Sequence, residues 1–228
     1  MPITVAVIGA GRMGSVIAGQ LPQGTKKIIL DAEGEKARLL AEKVGGTPAD
    51  SYEAVSEADL IAVVIPAPAV NDAVAKLLST AKAGALILNM ATSAHIDPAV
   101  QAKNPAVPVI DAKIIGHAGA MSEGNPGVVV VKTDDLEAFG RIREQFSGFL
   151  EVVRGDADLV PKINKAATLE AIRVAVQLRK QLRKMDIPAE WITAATKTVC
   201  TGVVKAFADN DLGDFASEMV EQLEREDA

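Results

Sequence analysis

The sequence predicts an α/β protein: a Rossmann-like, doubly wound, mostly parallel sheet over residues 1–154, followed by a small all-α C-terminal domain over 155–228. Three observations predict it. Short apolar runs of strand length alternate with helix-patterned segments from the N-terminus to about residue 153. Asp59-Leu-Ile-Ala-Val-Val-Ile65 is continuously apolar, as expected of a parallel strand buried on both faces. Beyond Gly155 the period changes, and Leu159, Ile163, Ala166, Leu169, Ile172 and Val176 recur at three- and four-residue steps along one face of a long helix.

The first element is the most informative. The apolar run Ile3–Ile8 enters Gly9-Ala10-Gly11-Arg12-Met13-Gly14, and Ser15–Leu21 then carries apolar residues at helical spacing. In such a strand–turn–helix the first glycine permits the bend, and the second lets backbone approach a pyrophosphate. The third lets the helix pack against the strand, and the helix N-terminus presents N–H groups to the phosphates. Lys27–Leu30 is the second strand and ends in Asp31, 22 positions beyond Gly9, where an acid accepts hydrogen bonds from ribose hydroxyls. The alternative, an incidental acid in a surface turn, requires strand, turn, helix and acid to coincide. Glu33 and Glu35 follow, with no arginine to receive a 2′-phosphate, so NAD(H) is expected over NADP(H).

The remaining elements follow in order. Gly34–Lys43 reads as a helix ended by Gly45-Gly46, and Ser51–Glu57 as a short one. The strand at 59–65 stops at Pro66-Ala-Pro68, and a helix from about Ala69 to Thr80 follows. Ala85–Leu88, Pro108–Ile110, Val128–Val131 and Leu150–Val153 are further strands, with helices after Asp97-Pro98 and over Asp134–Gln145. The C-terminal portion holds helices to about Lys184, over Ala189–Ala208 and from Asp214 to Arg225. About 70 residues make a thin core, so these helices are expected to dock on the sheet or on a second subunit, and a homodimer is expected.

Composition narrows the classes. With 228 residues, 49% of them hydrophobic but only 3% aromatic, the core must be built from Ala, Val, Ile and Leu. A net charge of −6 argues against a general nucleic-acid binder. No run of about 18 apolar residues is present and the chain opens directly on a strand, so no membrane association and a soluble, cytoplasmic protein are expected. The single Cys200 agrees with a reducing compartment and reads as a small buried hydrophobe. No set of His, Cys or carboxylates has metal-ligand spacing.

Ligands of open α/β sheets bind at the carboxyl ends of strands. Pro66, Thr92, Ser93 and the segment Asp111–His117 therefore draw attention. Thr92 and Ser93 fit either hydrogen bonding to a cofactor ribose or nicotinamide, or capping of the helix near Asp97. His117 fits either protonation of a substrate oxygen or a loop hydrogen bond, and His95 reads as structural.

These motifs, in this order, resemble the β-hydroxyacid dehydrogenase superfamily: Gly9–Gly14, Pro66, Thr92-Ser-Ala-His-Ile-Asp97-Pro98, Asp111-Ala followed by Gly116, and the small-residue segment Gly119–Gly127. That superfamily contains 3-hydroxyisobutyrate and 6-phosphogluconate dehydrogenases, and the likeness is to a short-C-terminal branch. The resemblance implies an NAD(P)-dependent dehydrogenase acting on a small-molecule substrate and pairing through its C-terminal helices. It also implies a general acid/base lysine early in the long helix, at Lys162. Asp158 as cap and Pro161 in the first turn would place Lys162 at the positive end of the helix dipole. A solvated lysine at a domain boundary is the other reading.

Two positions depart from the family. An asparagine usually follows the lysine by four residues, where Ala166 stands, and Asn164 lies about 200° round the helix from Lys162. The usual serine before Gly116 is Ile115. Arg173, three turns beyond Lys162, fits an anion-binding group or a solvated stripe with Arg179, Lys180, Arg183 and Lys184. Three functions stay open: a dehydrogenase using Lys162, an imine or pyrroline-carboxylate type reductase, and a dinucleotide-binding sensor without catalysis.

Overall fold

The structure, a computed structural model, describes residues 2–226. It divides into two compact units, 1–164 and 165–228. In the first, eight strands form one sheet in the order β3-β2-β1-β4-β5-β6-β7-β8. They are β1 (Thr4–Ile8), β2 (Lys26–Leu30), β3 (Thr47–Ala49), β4 (Leu60–Val63), β5 (Leu86–Asn89), β6 (Val109–Ile115), β7 (Gly127–Lys132) and β8 (Leu150–Arg154). Strands β1 to β6 are parallel, β7 is antiparallel to β6, and β8 runs parallel to β7. The order reverses between β1 and β4, so their carboxyl ends open a crevice at a topological switch point.

Helices cover both faces. On one side α1 (Arg12–Gln20), α2 (Gly34–Val44) and α6 (Leu136–Phe146) bury Ile17, Leu40, Ile142 and Phe146 against Val5, Val7 and Leu88. On the other, α3 (Val70–Thr80) buries Val70, Val74 and Leu77 against Ala6, Ile8 and Ile61. Each such side chain withdrawn from water contributes about 1.5–3 kcal/mol, and both layers are almost wholly aliphatic. Two short helices follow, α4 (Pro98–Gln101) and α5 (Ala118–Ser122).

The structure differs from the sequence reading in four places. A three-residue edge strand, β3, pairs with β2 where the sequence reading assigns no element. The expected helix at 51–57 is a single 3-10 turn, Glu53–Val55. Strand β6 continues through Asp111 and Lys113 to Ile115, because β7 pairs with this added stretch, from Asp111↔Lys132 to Ile115↔Val128. The unit boundary lies one turn into α7 (Val160–Lys184) instead of at 154/155, because Ala157 and Val160 pack with Val130 of β7 and Asn164 bonds to β6.

The second unit comprises the remainder of α7, then α8 (Ala189–Ala194), a π-helical stretch at Ala195–Cys200, α9 (Thr201–Ala208) and α10 (Asp214–Glu226). A groove within it is lined by Leu178, Leu182, Val199 and Val203. Cys200 is half-buried beside that groove, not fully enclosed as its composition suggested. Among the described residues no helix is long and apolar enough to cross a membrane.

Candidate active site

The glycine loop is built as its three glycines require. Gly9 has φ +108°, and a Cβ there would lie 2.4 Å from the Val64 carbonyl just after β4. A Cβ on Gly14 would fall 1.9 Å from the Gly9 carbonyl, so only glycine lets α1 start this close to β1. Gly11 is different: nothing lies within 4 Å of where its Cβ would be. It is exposed, caps α1 without a side-chain hydrogen bond, and leaves open space in front of the helix N-terminus. Arg12 is exposed at that terminus, while Met13 is half-buried against the core.

Asp31 closes the loop from the neighbouring strand. Its Oδ2 accepts from the Ala10 N–H at 2.7 Å and its Oδ1 from the Glu33 N–H at 2.8 Å. The Gly9 N–H donates to the Leu30 carbonyl at 2.7 Å, so the tips of β1 and β2 are locked together. A carboxylate with two oxygens keeps acceptor capacity beyond two amide bonds. These residues fit a dinucleotide: open space at Gly11 for the pyrophosphate, and an acid one strand away for a ribose.

Pro66 follows β4 and Thr92 follows β5, both exposed at the carboxyl edge. Asp97 caps α4 itself, its Oδ1 accepting from Ala99 N–H at 2.8 Å, which leaves Thr92 and Ser93 out of the cap. His117 is exposed beyond the end of β6, and its Nδ1 accepts from Ala120 N–H at 3.4 Å at the start of α5.

Beneath the Thr92 loop lies a polar cluster that sequence reasoning missed. Lys113 on β6 is only 1% exposed. Its Nζ donates to the carbonyls of Ala91 and Ala94 at 2.6 and 2.7 Å and lies 3.3 Å from Asp111 Oδ1. Asn89, fully buried, donates through Nδ2 to Asp111 Oδ1 at 2.6 Å and to the Ala94 carbonyl at 3.0 Å, while its Oδ1 has no protein partner. Burial pushes the Lys113 ammonium below the ordinary lysine range, with Asp111 and then Asp158 acting against it. The available signal was Asp111 and Lys113 two apart in a β-branched run, hence on one face of a strand.

The start of α7 also differs in detail. Asp156, not Asp158, caps the 3-10 turn Ala157–Leu159 that leads into α7, accepting from Asp158 N–H at 3.1 Å. Asp158 instead pairs with Lys132, which holds its carboxyl below the usual range, and stands 3.7 Å from His95 Nδ1. Asn164 Nδ2 donates to the Ile114 carbonyl at 2.8 Å, so that face of α7 is turned to β6. Lys162, on a different face, is exposed. Ile115, where the superfamily the sequence resembles carries a serine, packs against Val130, Ala157 and Val160. In the second unit Ala166 is exposed, and Arg173 is paired with Glu170 at 2.8 Å. The structure thus brings Gly9, Gly14 and Asp31 into one cradle, and it records no contact joining Lys162 to His117 or Thr92. Among the described residues no group of three or more His, Cys, Asp or Glu could hold a metal.

Residues 4–93 match the profile of a family described as NADP oxidoreductase, coenzyme F420-dependent. The match spans β1 to the Thr92 loop and so takes in the whole cradle. An uncharacterised oxidoreductase of Mycobacterium tuberculosis is 31% identical over 150 residues, covering 61% of this chain. The chain spans about half the length of the curated relatives it matches, 49%. Among solved structures, a pyrroline-5-carboxylate reductase from Coxiella burnetii aligns with a TM-score of 0.74 at 12% identity, covering 96% of this chain and 84% of that one. A 3-hydroxyisobutyrate dehydrogenase from Salmonella typhimurium aligns with a TM-score of 0.69 at 19% identity, covering 92% and 79%. These likenesses show the fold, a Rossmann-type sheet with a helical C-terminal region.

Proposed function

We propose that the chain is an NAD(P)-dependent oxidoreductase, with NAD(H) preferred. It would move a hydride to or from a hydroxyl or carbonyl carbon of a small acidic substrate. The observation that carries this reading is the cradle formed by Gly9, Gly11, Gly14 and Asp31. The bound nicotinamide supplies the hydride chemistry. The backbone at Gly11 and the start of α1 hold the pyrophosphate, Arg12 and Met13 flank it, and Asp31 orients the adenosine ribose. Although the family description names NADP, the acidic tip Asp31, Glu33 and Glu35 supports NAD(H), because carboxylates repel a 2′-phosphate.

Pro66 and Thr92 border the nicotinamide half of the cleft. Lys162 transfers the substrate proton; its helix turn is fixed to β6 through Asn164. His117, at the end of β6, is a second proton-carrying group at the same edge of the sheet. The C-terminal helices pair two copies into a homodimer, supported by exposed Val204, Phe207, Phe215 and Leu223 in the second unit. The solitary Cys200 supports a cytoplasmic setting.

A second reading, imine or pyrroline-carboxylate reduction, draws on Ile115 and Ala166. Both are apolar where a hydroxy-acid site offers polar groups. A binding-only sensor is the third. Steady-state assays with NADH or NAD+ against hydroxy-acid, keto-acid and cyclic-imine panels separate the three. Turnover of a hydroxy acid that Lys162→Ala reduces by about 10²–10⁴-fold, with NADH affinity unchanged, is the expected result. Imine turnover retained in Lys162→Ala would transfer support to the second reading, and NADH binding without turnover on any panel to the third.

A further inference from the structure

Lys113 performs no role in the reading above, yet it is among the largest fully buried side chains of the protein. A buried ammonium is unfavourable unless every N–H is paired, and an apolar side chain of similar volume would serve sheet packing at least as well. What an apolar side chain lacks is direction. The three N–H groups of Lys113 face three acceptors: Ala91 O, Ala94 O and Asp111 Oδ1. No proton is left to give to a substrate, and the amine does not reach solvent, so Lys113 is not a catalytic acid.

Its two carbonyl partners bracket Thr92 and Ser93. The segment from Met90 to Ile96 has no helix or strand of its own, and Ala91 and Ala94 are buried while Thr92 and Ser93 are exposed. The loop is therefore pinned from below at both shoulders with its polar tip held outward. Asn89 reinforces one pin by donating to the same Ala94 carbonyl. Charge on this cluster is set by Asp111 on β6 itself and by Asp158 before α7, which is shared with Lys132 of β7 and lies near His95 of the loop.

Geometry assigns this loop to one half of the ligand. If the adenosine ribose lies at Asp31 on β2 and the pyrophosphate at Gly11 after β1, the dinucleotide must continue over β4 toward β5. We propose that Lys113 is a positioning residue for the nicotinamide half of the cofactor, fixing the Ala91–Ala94 loop so that Thr92 meets the nicotinamide riboside. The inference rests on the dinucleotide reading of the glycine loop.

The test titrates wild type and Lys113→Met with NADH and with ADP-ribose, which keeps the adenosine and pyrophosphate and lacks the nicotinamide. Lys113→Met is expected to weaken NADH about tenfold, the equivalent of one to two lost hydrogen bonds, and to leave ADP-ribose within about twofold. Equal weakening of both ligands, or of neither, overturns the inference while leaving the dinucleotide reading intact. Wild type that binds neither ligand overturns that reading and this inference with it. Should Lys113→Met fail to fold, Asn89→Ala removes its bonds to the Ala94 carbonyl and to Asp111 Oδ1 and leaves Lys113 its three acceptors. It is then expected to weaken NADH about threefold with ADP-ribose unchanged, and an equal effect on both, or no effect on NADH, again overturns the inference.

Discussion

The Asp31 carboxylate accepts a hydrogen bond from the Ala10 N–H at 2.7 Å, so the tip of β2 and the glycine loop of β1 form one rigid cradle. Asp31 fixes the loop, and in the proposed reading it also presents its charge to the ribose. Asp31→Ser should weaken NADH by about ten- to a hundredfold, the range of one hydrogen bond to a charged group, and narrow the preference over NADPH. Parallel titrations with the two reduced cofactors measure both effects.

The first and last glycines of the loop are constrained by protein, and the middle one is not. Gly14→Ala should destabilise the fold by at least about 3 kcal/mol, because the added methyl meets the Gly9 carbonyl at 1.9 Å. Gly11→Val should fold with near wild-type stability, since nothing lies within 4 Å of its Cβ, and should lose nucleotide binding. Denaturant midpoints set beside NADH titrations separate the two outcomes.

Asp59 ties the start of β4 to β1, its Oδ2 accepting from Thr4 N–H at 2.7 Å and its Oδ1 meeting Lys82 at 2.6 Å. Burial pushes the carboxyl up, but Lys82, the Thr4 N–H and Arg141 outweigh it and hold it below its ordinary value. A carboxylate depressed in the folded state stabilises above the unfolded value of about 3.9, and that stability is lost as pH falls through the folded one. Asp59→Asn should therefore lose about 1–2 kcal/mol at pH 7, a difference that shrinks below about pH 4. Urea unfolding at the two pH values checks the sign.

The helical unit exposes Phe215 at 74% and Val204 at 61%, with Phe207 at 56%. Burial of this surface by a second copy predicts a particle of twice the chain mass in light scattering at micromolar concentration. Val204→Glu with Phe207→Glu should convert it to a monomer, because each buried unpaired carboxylate opposes association. A monomeric wild type would remove the dimer from the account.

Much of the fold was legible because buried parallel strands leave unmistakable runs, as in Leu60–Val63 and Leu86–Leu88. Strand β3 was not, since Thr47-Pro48-Ala49 is short and its proline lacks an amide, which suits only a sheet edge. The extension of β6 was hidden because Asp111 and Lys113 interrupt the apolar run. Their charges are answered by Asn89 and by two loop carbonyls 19 and 22 residues away, partners that no local pattern reveals. The cradle was legible because it is local, from Gly9 to Asp31. The proposed substrate half was not, because its candidates Thr92, His117 and Lys162 lie after β5, after β6 and at the start of α7, and only the fold sets which of their faces meet.

The central claim is that the cradle holds NAD(H). Calorimetric titration of the wild-type chain with NADH and NADPH tests it most directly. The account predicts saturable one-to-one binding of NADH at micromolar affinity and binding of NADPH weaker by about tenfold or more. Absence of NADH binding would contradict the cradle, and equal affinities would contradict the role given to Asp31.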